Sequence, residues 1–273
     1  MPPEETIRSR TNPLFRRLRA LKERGPERDT CLIEGPKLAL EALAAGVAVV
    51  EAAFAPRVET TPVGASALAA LAAAGVPVRR LAPDLLRSLS EAETSQGLVV
   101  LARRPSFEES RLVRETPLVL VAHAVQNPGN LGALLRAAEA AGATGAYLTE
   151  GSADPLSWKA LRGSMGSAFR LPHVRGLRVE EALDRLEARG VAVFATAADG
   201  ERAYDEADLR GSVAILVGSE GAGLPVAIRR RAAACLRIPV RPPVESLNVA
   251  VAAALVLFEA ARQRGRAPDR PKR

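Results

Sequence analysis

The chain is poor in the residues that build metal centres and disulfide scaffolds, with two cysteines and two histidines among 273 residues. Cys31 and Cys235 stand far apart and outside any CxxC spacing. That excludes a disulfide framework and a cysteine zinc site, and it fits a reducing cytosol. Two histidines are too few for a histidine-rich metal site, so no metal is expected. Aromatic residues amount to 3%, which argues against a platform that stacks single-stranded bases. No apolar run suits a membrane span: the most apolar stretch, Val249 to Phe258, is about half of the ~20 residues a spanning helix needs. The opening MPPEETIRSR has charge but no apolar core, so no secretory signal is expected.

What the chain does hold is ordinary globular composition, 48% hydrophobic and 25% charged, with a net charge of +7. The basic excess gathers at the ends. Residues 6–24 carry Arg8, Arg10, Arg16, Arg17, Arg19, Lys22 and Arg24 against Glu23 alone, and the tail beyond Arg262 is similarly basic. Such clusters attract polyanions by releasing counterions from phosphates.

Two α/β units are legible. In the first, over 1–105, Asn12-Pro13 starts a helix in which Leu14, Leu18 and Leu21 recur at helical spacing. CLIEG, a helix over Lys37–Ala45, the strand VVEAAFA, an Ala-rich helix over Ser66–Ala74, VPVRRL, a helix near Asp84–Ser90 and the strand GLVVLA follow. Residues 106–116 lack an apolar period and read as a linker. The second unit, 117–265, opens with PLVLVAHA, a continuous apolar run suited to a buried parallel strand. GAYLT, VAVFATA, VAILVG and CLRIPV alternate with helical stretches, which predicts a parallel sheet flanked by helices. Residues 266–273 read as a disordered basic tail.

Three segments of the second unit carry chemistry. The first strand runs into Gln126-Asn127-Pro128-Gly129-Asn130-Leu131-Gly132 and a helix that holds Arg136. Asn-Pro-Gly forces a tight turn and Asn130 is placed to cap the helix, at the sheet edge where open α/β folds collect ligands. VAILVG then closes in Gly218-Ser219-Glu220-Gly221-Ala222-Gly223, whose order is not the dinucleotide fingerprint. Glu220 between glycines would repel phosphate and suits a cationic or hydroxyl-bearing ligand. Last, Ile238-Pro239-Val240 leads through Pro242-Pro243 to Glu245-Ser246-Leu247-Asn248 and the helix VAVAAALVLFEAARQRG. Ser246 or Asn248 would cap that helix and Gly265 would end it. Being apolar almost all round, it must bury several sides, as a dimer interface would allow.

Taken together in this order, the segments resemble the SpoU/TrmH group of the SPOUT superfamily of RNA ribose methyltransferases. That group carries an N-x-G-x-x-x-R motif, a G-x-E-G-x-G-L motif and an I-P…S-L-N-V motif. The first unit is similar to the group's substrate-binding domain through NPLFRRLRALKER, LIEGPKLALEAL and SEAETSQGLVVLA. The resemblance implies an α/β fold: a C-terminal SPOUT domain with a deep trefoil knot, and a smaller, ribosomal-protein-like N-terminal α/β domain that binds RNA. It implies S-adenosylmethionine held against backbone at Gly218, Ile238 and Leu247, and methyl transfer to a ribose 2′-hydroxyl, with 23S ribosomal RNA as the expected substrate. Arg136 is the group's catalytic position, here expected to hold a phosphate and stabilise developing alkoxide. A guanidinium with a pKa above about 12 is a poor base. Asn130, Glu220, Ser246 and Asn248 match its other polar site positions. Arg16, Arg17 and Lys22 are expected to contact RNA. A homodimer in the cytoplasm, with Arg136 of one subunit near the other's cofactor, completes the expectation. Asn127, Pro242 and Ala250 depart from the residues frequent in the group, and His123 and His173 lie outside its pattern. Transfer RNA as the substrate, a non-catalytic assembly factor of the same fold, and a nucleotide-dependent oxidoreductase are the competing readings.

Overall fold

The computed structural model describes residues 6–24, 29–90 and 95–265, so the expected tail over 266–273 lies outside it. In chain order the elements are α1 (Pro13–Arg24), β1 (Thr30–Glu34), α2 (Pro36–Ala44), β2 (Val49–Phe54), α3 (Pro62–Ala73), β3 (Val78–Arg80), α4 (Pro83–Leu89) and β4 (Leu98–Arg103). These are followed by β5 (Leu118–Ala122), α5 (Pro128–Ala140), β6 (Gly145–Thr149), α6 (Trp158–Ser164), α7 (Ser167–Arg170), β7 (His173–Leu177) and α8 (Val179–Glu187). The last are β8 (Ala192–Thr196), β9 (Arg202–Ala203), β10 (Val213–Val217), α9 (Val226–Arg229), β11 (Ala234–Arg237) and α10 (Val249–Gln263). Each of α1 to α5 opens on proline, whose fixed φ suits the first helical position and whose missing N–H would have had no partner there. At α1 the Leu14 amide donates to Asn12 Oδ1 at 2.9 Å, so Asn12 starts the helix as its sequence suggested.

Contacts divide the chain into two units. One joins the residues up to Ser106 with Leu156–Phe169, and the other joins Phe107–Pro155 with Arg170 onward. The first unit has a four-stranded sheet in the order β1-β4-β2-β3, with β4 antiparallel to both neighbours and β2 parallel to β3. Its core joins Leu14, Phe15 and Leu18 of α1 to Leu85, Leu86 and Leu89 of α4, and Trp158 is buried in the same cluster. The Trp158 indole N–H donates to Glu34 Oε2 at 2.6 Å, and the Ser90 hydroxyl donates to Glu34 Oε1. A buried carboxylate costs free energy unless donors meet it. These two do, and they seat the Leu156–Phe169 segment in the first unit.

The second unit is built on seven strands in the order β7-β6-β5-β10-β8-β11-β9, every pair parallel. β5 and β10 are buried along their whole length, the environment their unbroken apolar runs call for. Residues 106–116, expected as a linker, are not free chain. Leu112 is fully buried in the second core, Tyr147 Oη donates to Glu109 at 2.7 Å, and Arg185 pairs with Glu109. Two anchor residues suffice to pack a segment that has no apolar period.

Candidate active site

Four adjacent strands, β5, β10, β8 and β11, send their carboxyl ends to one place, and a cleft of about 920 Å³ opens there. That is the size range of small-ligand sites, at the edge where parallel sheets bind them. Gly218, Ile238 and Leu247 all line it, as do Asn130, Glu220, Ser246 and Asn248. The three sequence segments therefore meet in one crevice.

The local chemistry explains how they meet. At the head of α5, Asn127, not Asn130, is the cap: its Oδ1 accepts from the Gly129 and Asn130 amides at 2.8 and 3.2 Å. Pro128 takes the first helical position, which moves Asn130 into the first turn and frees its side chain. In the second segment, Gly218 is required by the loop itself. A Cβ there would lie 2.4 Å from the carbonyl carbon of Gly223, because the chain folds straight back on itself. The Gly223 amide closes this turn on Ser219 O at 3.0 Å, with Gly223 in the left-handed region at φ 65°. In the third segment, Asn248 is the cap of α10, its Oδ1 accepting from Ala250 and Val251 at 2.9 and 3.4 Å.

Those cap bonds set the direction of a longer chain. With Oδ1 of Asn248 committed as acceptor, its Nδ2 must be the donor, and it donates to Asn130 Oδ1 at 3.0 Å. Asn130 Nδ2 is then turned to Glu220 Oε1, at 2.9 Å. One residue from each segment thus joins a hydrogen-bonded line across the cleft. Ser246 is exposed at its rim. Arg136 is exposed on α5 and does not line the cleft of its own chain.

Sequence reasoning missed part of the wall. Asp199 and Arg229 line the cleft as a pair, with contacts of 3.0 and 3.1 Å. The Arg229 hydrogen bonds hold the Asp199 carboxyl below its usual range. Gly200 beside it lies on β11 so closely that a Cβ would meet the Leu236 carbonyl carbon at 2.6 Å. The available signal was position: Asp199 and Gly200 follow β8, and Arg229 lies on α9 after β10, two strands whose carboxyl ends border the same edge. The cleft's carboxylates, Asp199, Glu220 and Glu245, outnumber its cation Arg229, so a ligand bearing positive charge fits it better than a free phosphate. On the first unit, Arg16 and Arg17 are exposed along α1, and Arg17 lines a small groove with Arg79. Lys22 has another task. Its ammonium donates to the Ser88 and Ser90 carbonyls, both at 2.9 Å, and so closes the end of α4.

Fold and cleft define a class: a parallel-sheet α/β protein with a small-ligand cleft at the strand ends and a second, smaller α/β unit. Residues 117–258 match the model of the SpoU rRNA Methylase family, and residues 12–100 match that of the MRM3-like substrate binding domain. The chain belongs to the SpoU rRNA Methylase family. Among curated relatives, a 23S rRNA guanosine 2′-O-methyltransferase of Bacillus subtilis is 37% identical over 67% of this chain and 72% of its own length. Among solved structures, an AdoMet-bound rRNA methyltransferase from Sinorhizobium meliloti has a TM-score of 0.82 at 32% identity, over 94% of this chain and 97% of that one. An RNA 2′-O ribose methyltransferase has a TM-score of 0.80 at 36% identity, over 95% and 99%.

Proposed function

We propose that this protein methylates a ribose 2′-hydroxyl of 23S ribosomal RNA in the cytoplasm, using S-adenosylmethionine. The observation that carries this reading is the Glu220–Asn130–Asn248 line, which ties the three segments together at the mouth of a cleft with an acidic excess. When bound, the cofactor supplies a methyl group on a positively charged sulfur, and that charge suits the carboxylates. Gly218, Ile238 and Leu247 would hold it against backbone. Asn130 and Ser246 would orient the ribose, while Glu220 and Asn248 keep Asn130 in place. The chain's residues would align the ribose hydroxyl and stabilise the charge that develops on its oxygen, whose proton would leave to phosphate or water as the methyl–sulfur bond breaks and a neutral thioether departs.

Arg136 serves this reaction from a second subunit. Val251, Leu255 and Phe258 of α10 are 49%, 38% and 44% exposed, and the apolar groove they line includes Ala133 of α5. Ala133 and Arg136 stand three residues apart and share a helix face. A second copy covering the groove would therefore receive Arg136 at the interface. The implied knot would wall the cofactor cleft, and the first unit would hold the RNA. The test is incubation with labelled cofactor and unmodified 23S RNA, followed by alkaline hydrolysis. An alkali-resistant labelled linkage is expected, and it should be lost in Arg136→Ala at saturating cofactor and RNA. Label in a base, or in transfer RNA only, would overturn the reading.

A further inference from the structure

The helix α6 sits outside the residues that match a substrate-binding domain, yet its contacts place it in the first unit. Its inner face is sealed: Trp158, Ala160, Leu161 and Ser164 are buried, and the Trp158–Glu34 hydrogen bond locks the first turn. Its outer face carries two exposed cations, Lys159 and Arg162, three residues apart. Neither meets a carboxylate among the described residues, and the nearest acid in sequence, Asp154, is committed to Arg175. Other cations of the chain do find carboxylates, Arg19 pairing with Glu23, Arg80 with Glu59 and Arg231 with Asp184. Like charges at this helical spacing repel by a few tenths of a kcal/mol. A rigid, anchored helix that keeps two unneutralised cations side by side is built to meet a polyanion.

We infer that α6 is part of the RNA-holding surface, with Lys159 and Arg162 each taking a backbone phosphate. This rests on RNA being the substrate, and it extends the contact surface beyond the basic α1. Contacts of this kind position the RNA without reading its sequence. They should weigh on affinity and salt dependence and leave the cofactor cleft untouched.

The test is the salt dependence of affinity for in-vitro-transcribed 23S RNA, compared between the parent and K159A/R162A. Two lost phosphate contacts should lower the slope of log affinity against log salt by about 1.4–1.8. Between 50 and 200 mM salt, the fall in affinity should then shrink about ninefold relative to the parent. Emission from Trp158, the sole tryptophan, shows that α6 remains seated, and K159Q/R162Q provides a second variant with the same charge change. The control R175A/R178A removes two cations that have carboxylate partners, and its slope should stay near the parent's. An unchanged slope in both seated variants overturns the inference, as does an equal drop in the control. If the parent itself binds this RNA without salt dependence, the functional reading fails instead.

Discussion

Asn248 does two jobs that substitution can separate. Its Oδ1 caps α10 and its Nδ2 bridges to Asn130. In Asn248→Ala both are lost. The cap is worth about 1 kcal/mol and an exposed amide bond about 0.5–1 kcal/mol, so the variant should be about 1.5–2 kcal/mol less stable. For a unit of this size that lowers the midpoint by roughly 3–8 °C. Asn248→Ser keeps a good cap but cannot span the distance to Asn130. Asn248→Asp keeps the acceptor, and its charge is favoured at a helix N-terminus, yet it has no donor for Asn130 Oδ1. Both should lose only the bridge, and so lie about 0.5–1 kcal/mol below the parent and about 1 kcal/mol above the alanine variant in thermal unfolding by circular dichroism. All three should transfer methyl groups more slowly at saturating cofactor, because Asn130 is no longer held toward Glu220. If Ser and Asp are as unstable as Ala, the cap assignment is wrong. If all three transfer methyl groups like the parent, the bridge plays no part in the site.

Trp158→Phe keeps most of the buried surface but removes a donor from the buried Glu34 carboxylate, and should cost about 1–3 kcal/mol in denaturant unfolding; no change would mean that Glu34 is satisfied another way. His123, at the end of β5, has its pKa lowered by burial, against an opposing pull from Glu180. The folded state therefore prefers the neutral ring. The stability this gives is present above the unfolded value of about 6.5 and is lost as pH falls from there toward the folded value. His123→Gln should flatten that slope in midpoints measured across the interval, and an unaltered slope refutes the attribution.

Legibility followed burial. β5 and β10 announce themselves because strands buried on both faces are apolar without interruption. β7 was not read as a strand: HVRGL lies at the sheet edge, is mostly uncovered, and shifts register against β6 between Leu148 and Thr149. At α5 the local reading gave the cap to Asn130, but proline's preference for the first helical position gives it to Asn127. Longer reach was closed altogether. The leucine spacing of α1 shows which face is buried, but not that Lys22 ends on carbonyls 66 residues on. Nor does any local pattern attach Trp158 to Glu34 across 124 residues.

The same contrast separates motif from site. Each of the three segments has an adequate local explanation: Asn127 and Asn248 cap helices, and Gly218 permits a reversal of the chain. None of these roles needs Asn130 or Glu220. Asn130 is in the first turn of a helix already capped by its neighbour, and Glu220 sits exposed in a turn that the Gly223 amide already closes. Their side chains are free of local duty, and they are the two that join across 90 residues. A residue with no task in its own segment, turned toward another such residue over a cleft, is what distinguishes a site from a set of well-made turns. By that criterion Asn130 is the pivot. Its two bonds are set by a cap on one side and a carboxylate on the other. Asn130→Asp should break the Glu220 link by charge repulsion while leaving α5 capped, so methyl transfer at saturating cofactor should fall with little loss of stability.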